Sequence, residues 1–163
     1  MTRIQSKRGA LIALVSILLL SACVKPDPAD VLAEKLAQVA HYQELWSAMS
    51  ASSEYSFSYQ RNCFCPYSGE RVRIDVADGV VKSFSRSPDS KWPEHTPEHL
   101  VVTMEDVFAQ IEVLAKREGS GDGTLGIEFD ESAGNPTMVS WADKKAYENE
   151  VAFALRIELV EHQ

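Results

Sequence analysis

The sequence predicts an α+β fold: an antiparallel sheet of about five to six strands, in the order β-β-β-α-β-β-β, with helices packed on one face and an N-terminal helix before the strands. Three observations predict it. Several runs alternate apolar and polar residues with the period of a half-buried strand, most plainly 151–159. An Asp78-Gly79 pair lies between two such runs, a strong short-range hairpin signal. Two stretches repeat apolar residues at helical spacing, each behind its own start signal.

The elements follow in order. Asp27 suits a helix cap, with Pro28 at the first helical position and Asp30 in the first turn. Leu32, Leu36, Val39, Trp46 and Met49 then recur on one face, to be packed on the protein's own sheet. In "YSFSYQR" Tyr55, Phe57 and Tyr59 share a face, with serines on the other. "ERVRIDVADGVVKSFSRS" reads as strand, tight turn, strand. A Pro-rich loop, "SPDSKWPEHTPEH", comes next. Thr103 and Asp106 form a capping-box-like pair, with Asp where Glu or Gln is usual. Val107, Phe108, Ile111 and Leu114 make that helix's buried stripe, Lys116 and Arg117 suit its C-terminal dipole, and "GSGDG" ends it. "TLGIEFD", "TMVSWA" and "EVAFALRIELV" supply three more strands.

The N-terminus carries an address. Arg3, Lys7 and Arg8 precede an apolar stretch from Ala10 to Leu20, well short of the ~20 residues that span a bilayer as a helix. Leu20-Ser21-Ala22-Cys23 resembles the lipobox of bacterial lipoproteins. That resemblance implies cleavage before Cys23 and lipidation of Cys23, which makes 1–22 the signal peptide; 23–29 reads as a short tether, and 30–163 has a length that suits a single domain. Several acyl chains on one residue give stable attachment to a membrane. Val24 follows Cys23 where an Asp would retain a Gram-negative lipoprotein in the inner membrane, so the same resemblance implies the outer membrane, facing the periplasm. The chain's net charge is −8, and removal of the three basic leader residues takes it to −11. Nucleic-acid binding needs a basic footprint and is excluded.

"YSFSYQRNCFCP", "RVRIDVADGVV", "TMEDVFAQIE", "IEFDESAGNPTMVSW" and "ENEVAFAL" together resemble an uncharacterised bacterial lipoprotein family, domain of unknown function 6174, over residues ~46–160. Cys-Phe-Cys-Pro is the most specific part of the pattern. Phe129 stands where Tyr is usual before Asp130, and "ENE" at 148–150 where a paired Asp-Glu is common. The resemblance implies a fold, an anchor and motif positions, and it implies no activity.

Cys63 and Cys65 admit several readings. The oxidising periplasm favours a disulfide. Along a regular strand, however, their Cα atoms would be ~6.6 Å apart, at the limit for a bridge, so a bulge or turn is required. Pro66 makes a local bend plausible. A strained bridge would be reducible, and Arg61 on the same face would lower a thiol pKa, which gives a redox pair. A metal site built on Cys63 and Cys65 departs from the two to four intervening residues usual for zinc, and no set drawn from His41, His95, His99 and His162 converges with them. Two inert core thiols complete the readings.

Other patterns are weaker. Asp130, Glu131, Asp143, Glu148 and Glu150 lack the spacing of an EF-hand loop. "GSGDG" lacks the Lys and Ser/Thr of a phosphate loop, and no nucleophile-elbow pattern occurs. Trp92, Asp130, Gly134 and Pro136 are a candidate binding surface. The functional expectation is a lipid-anchored envelope protein without a cofactor, non-enzymatic, binding an envelope partner through the open sheet face or the loop 86–102. The alternative is a thiol-based redox or metal-binding lipoprotein using Cys63 and Cys65.

Overall fold

The computed structural model describes residues 27–50, 54–63, 68–86, 102–144 and 151–162. The elements run α1 (Pro28–Ser50), β1 (Tyr55–Cys63), β2 (Arg71–Ala77), β3 (Val80–Arg86), α2 (Met104–Gly119), β4 (Gly123–Phe129), β5 (Pro136–Asp143) and β6 (Val151–His162). This is the α+β fold that the sequence predicts. All six strands form one antiparallel sheet in the order β3-β2-β1-β6-β5-β4. Two three-stranded meanders therefore meet at the centre, where β1 pairs with β6. Local periodicity carries no information on that order.

The helix start signals work as read. The Ala29 N–H donates to Asp27 Oδ1 at 2.9 Å, and the Val31 N–H donates to Asp27 O at 3.1 Å. At α2, Thr103 Oγ1 accepts from the Asp106 N–H at 3.2 Å, and Asp106 Oδ2 accepts from the Thr103 N–H at 2.8 Å. This reciprocal pair satisfies donors that a helix start otherwise leaves bare. After α2 the chain reverses through Gly121, whose φ of +78° suits glycine. The β2–β3 turn places Asp78 and Gly79 at φ +54° and +69°, the double positive φ of a tight hairpin turn.

Both helices lie on the same side of the sheet. Trp46 and Val39 of α1, with Met104, Val107, Phe108, Ile111 and Leu114 of α2, pack against the inward rows of the strands. Those rows include Tyr55, Phe57 and Tyr59 of β1, and Val72, Ile74 and Val76 of β2. Burial pushes the Tyr59 hydroxyl up to about 12, offset in part by the Arg61 charge. Burial raises Tyr55 further still, against a hydrogen bond from the Met104 N–H and reinforced by Glu105.

In the unfolded chain both tyrosines ionise near ~10, so above that pH the unfolded state loses protons first. Stability is thus complete below about pH 10 and falls as pH rises toward 12, by about 1.4 kcal/mol per pH unit for each buried tyrosine. Denaturant titrations between pH 9 and 12 test this, with tyrosinate absorbance recorded alongside. A flat profile would mean that both hydroxyls already reach water in the native state.

The two sheet edges are each protected. On β4 the Leu125 N–H donates to Glu118 Oε1 at 3.2 Å, and the Leu125 carbonyl accepts from Lys35 Nζ at 2.9 Å. Lys35 also pairs with Glu118, so one ion pair drawn from both helices caps the edge backbone. On β3 a bulge opposite Asp75/Val76 and the exposed Lys82 interrupt the edge. Such devices discourage strand addition by other chains.

Candidate functional site

The face of the sheet turned away from the helices is polar. Its rows follow from register. Ser83, Asp75 and Ser56 are cross-strand neighbours, as are Ser85, Arg73, Ser58 and Glu158. Arg71, Gln60, Arg156, Met138 and Glu128 form a third row across five strands.

Hydrogen bonds knit the first two rows. Asp75 Oδ1 accepts from Ser56 Oγ at 2.7 Å and Arg73 Nε at 3.1 Å, and its Oδ2 accepts from Ser83 Oγ at 2.5 Å. The Ser83 and Ser56 hydroxyls, with Arg73, hold the Asp75 carboxyl below its ordinary value. Arg71 donates to Glu158 Oε2 at 2.5 Å and to Ser58 Oγ at 3.4 Å. Both members of the Arg71–Glu158 pair are more than half exposed, so the pair contributes little to stability.

A depression of about 320 Å³ opens along the third row. Ser58, Gln60, Arg71 and Glu158 line one end of it, with Arg156, Met138, Thr137 and Glu128 toward β4. Arg156 and Glu128 are exposed, and neither makes an ion pair or hydrogen bond with a described residue. The alternation of 151–159 puts Arg156 and Glu158 on the polar face of their strand and says no more. It does not show the row, because nothing local says that Gln60 lies beside Arg156.

The residues singled out from the sequence are placed as follows. Cys63 closes β1 and is disulfide-bonded. Its N–H donates to Ser68 Oγ at 3.0 Å, and the Gly69 N–H donates to Arg61 O at 2.7 Å, so the chain folds back just beyond it. Arg61 shares the inward side of β1 with Tyr59 and Cys63, its guanidinium 5.9 Å from the Phe153 ring centre. Cys23 with the leader, Cys65 and Trp92 lie outside the described residues.

The rest of the candidate surface serves packing. Gly134 and Pro136 are buried, so they offer no face to a partner. Asp130 Oδ1 accepts from the Ser132 hydroxyl at 2.6 Å and from the Ser132 and Ala133 N–H groups at 2.8 Å. The Ser132 hydroxyl, then those backbone donors, pull the Asp130 pKa down. Asp130 thereby shapes the β4–β5 turn, which presses Gly134 against α1, while Phe129 stacks on Tyr42 with ring centres 4.3 Å apart.

A second polar cluster was not foreseen. Glu105, near the start of α2, accepts from Trp46 Nε1 at 3.0 Å and from the Tyr55 hydroxyl at 2.8 Å. The Tyr55 hydroxyl in turn accepts from the Met104 N–H at 3.2 Å. One carboxylate thus joins α2 to both α1 and β1, which lie fifty or more residues upstream. Among the described residues, no group of three or more His, Cys, Asp or Glu side chains converges as a metal site would require, and no helix is long and apolar enough to cross a membrane.

The architecture thus defines a class: a small α+β domain with one sheet face packed against two helices and the other polar, with no helix or strand of the described residues packed on it. Residues 38–158 match the model of a family described as a family of unknown function, DUF6174, and the chain belongs to that family. No curated protein and no solved structure matches it.

Proposed function

We propose that the chain is a lipid-anchored protein of the bacterial cell envelope, whose domain is a non-enzymatic binding module presenting its open sheet face to an envelope partner. The basic n-region, short apolar core and lipobox-like Leu20–Cys23 support the anchor, with Cys23 as the lipidated residue. Val24 supports the outer membrane, facing the periplasm. The observation that carries the binding reading is the open face itself, where the Arg71–Glu128 row crosses five strands and carries a depression.

Two experiments test this reading. Labelled palmitate should enter the native chain and not a Cys23→Ser variant, which should leave the membrane fraction. Equal labelling of both would remove the anchor. Cross-linking in intact cells should capture a partner with the native protein and lose it in an Arg71→Glu/Arg156→Glu variant of unchanged melting temperature. Capture of nothing under several conditions, or equal capture by both, would overturn the binding reading.

The disulfide at Cys63 favours a second reading, a thiol-based redox lipoprotein in which Cys65 is the partner cysteine. Arg61 on the same side of β1 is a cation suited to stabilising a thiolate. A reduction potential below about −300 mV would assign the bond a structural role, and a markedly higher one a labile role.

A further inference from the structure

The chain returning from β1 toward β2 is tied to the end of β1 by three hydrogen bonds. The Cys63 N–H donates to Ser68 Oγ at 3.0 Å, the Gly69 N–H donates to Arg61 O at 2.7 Å, and Gln60 Nε2 donates to Gly69 O at 2.6 Å. Two of these residues belong to other features as well. Cys63 is held in a disulfide, and Gln60 lies in the Arg71–Glu128 row and lines the depression. One short return thus carries a reducible bond at its start and grips a side chain of the open face.

The chain has three cysteines, and with Cys23 lipidated the partner of Cys63 is Cys65. We propose that this disulfide is a redox-sensitive clamp on the β1–β2 connection, and that Gln60 passes its state to the depression. Reduction breaks the S–S bond, adds two electrons and two protons and leaves two thiols, while a dithiol donor is oxidised to its own disulfide. A bond that closes a three-residue ring favours the closed connection by roughly 15-fold, through the chain freedom it removes. That is too little to hold a domain together, and enough to change how often a surface segment opens. Each opening releases the Gln60 amide, which stands between Arg71 and Arg156 in its row, and so alters the wall of the depression. The effect on any bound partner is limited to the same factor, since coupling cannot exceed the shift in the segment's own equilibrium. The inference rests on Cys65 as the partner cysteine, the premise of the redox reading, and states what reduction of that bond regulates.

The test uses the full chain, purified in detergent from the cells that make it, with and without dithiothreitol. A peptide map made without reductant should pair Cys63 with Cys65. On reduction the Gly69 amide should exchange with solvent about 15-fold faster, while the amides of Phe57 and Ile74, in the core of the sheet, keep their rates. The Met138 methyl resonance, which reports on the depression, should shift on reduction of the native chain and stay in place in Gln60→Ala. A Cys63→Ser/Cys65→Ser variant should match the reduced chain without any dithiothreitol.

Less than a twofold change at Gly69, or a Met138 methyl indifferent to reduction, overturns the clamp. So does equal acceleration at Phe57 and Ile74, which would make the bond a staple of the whole fold. If any of these occurs while the map pairs Cys63 with Cys65, the clamp alone falls and the reduction potential still decides the redox reading. A map that pairs Cys63 with any other thiol removes both.

Discussion

Gly134→Ala is expected to destabilise the fold by roughly 2–5 kcal/mol, a large share of the ~5–15 kcal/mol that holds a domain of this size together. Two costs combine. Gly134 has a φ of +81°, where a residue with a Cβ pays ~1–2 kcal/mol. A Cβ there would also stand 2.6 Å from the Trp46 nitrogen and 2.6 Å from the Tyr42 carbonyl oxygen, both backbone atoms of α1. Neither can rotate aside, so the hairpin or the helix must move, an overpacking cost of ~1–3 kcal/mol.

Gly79→Ala isolates the first cost, since Gly79 has a φ of +69° with nothing within 4 Å of its Cβ position. Denaturant midpoints, at unchanged slope, should order native above Gly79→Ala above Gly134→Ala. Equal losses in the two variants would show that α1 does not rest on the hairpin as described.

Glu105→Ala is expected to cost roughly 2–4 kcal/mol, because it strips the acceptor from two buried donors at once. Trp46 is 1% exposed and Tyr55 4% exposed, so water does not readily replace the carboxylate. Leaving a buried donor bare costs ~1–3 kcal/mol, more than the bond itself contributes. Glu105→Gln keeps one acceptor oxygen and should lose less. A cycle with Trp46→Phe should be non-additive, because the second change removes a donor that the first has orphaned. A loss below about 0.5 kcal/mol for Glu105→Ala would mean that the clasp is not formed in solution, since that is the scale of an ordinary surface change.

These two positions also mark what is and is not legible in a chain of letters. Gly134 and Pro136 are visible, and they read as part of a candidate binding surface. The actual task of Gly134, letting α1 approach backbone to backbone, depends on a helix nearly ninety residues upstream. Glu105 gave no signal, because an acidic residue in the first turn of a helix is already explained by the helix dipole. Its real partners, Trp46 and Tyr55, belong to other elements. The same holds on the open face. Arg156 reads as one polar member of an alternating strand, and its setting beside Gln60 and Met138 exists only once β6 sits between β1 and β5.

What the sequence determined by itself is therefore local. The Asp27 and Thr103 caps, the Asp78-Gly79 turn, the helical stripes and the inward Tyr55, Phe57 and Tyr59 row follow from neighbours a few residues apart, whose geometry has periods of two or 3.6. The tertiary structure decided the strand order and the register of β1 against β6. It thereby decided which polar residues share a row, which edge Lys35 and Glu118 cap, and which charges stay unpaired beside the depression. The physical reason is that alternation fixes which face each side chain takes. Which strand lies alongside which is set by how the two meanders close over one shared apolar core.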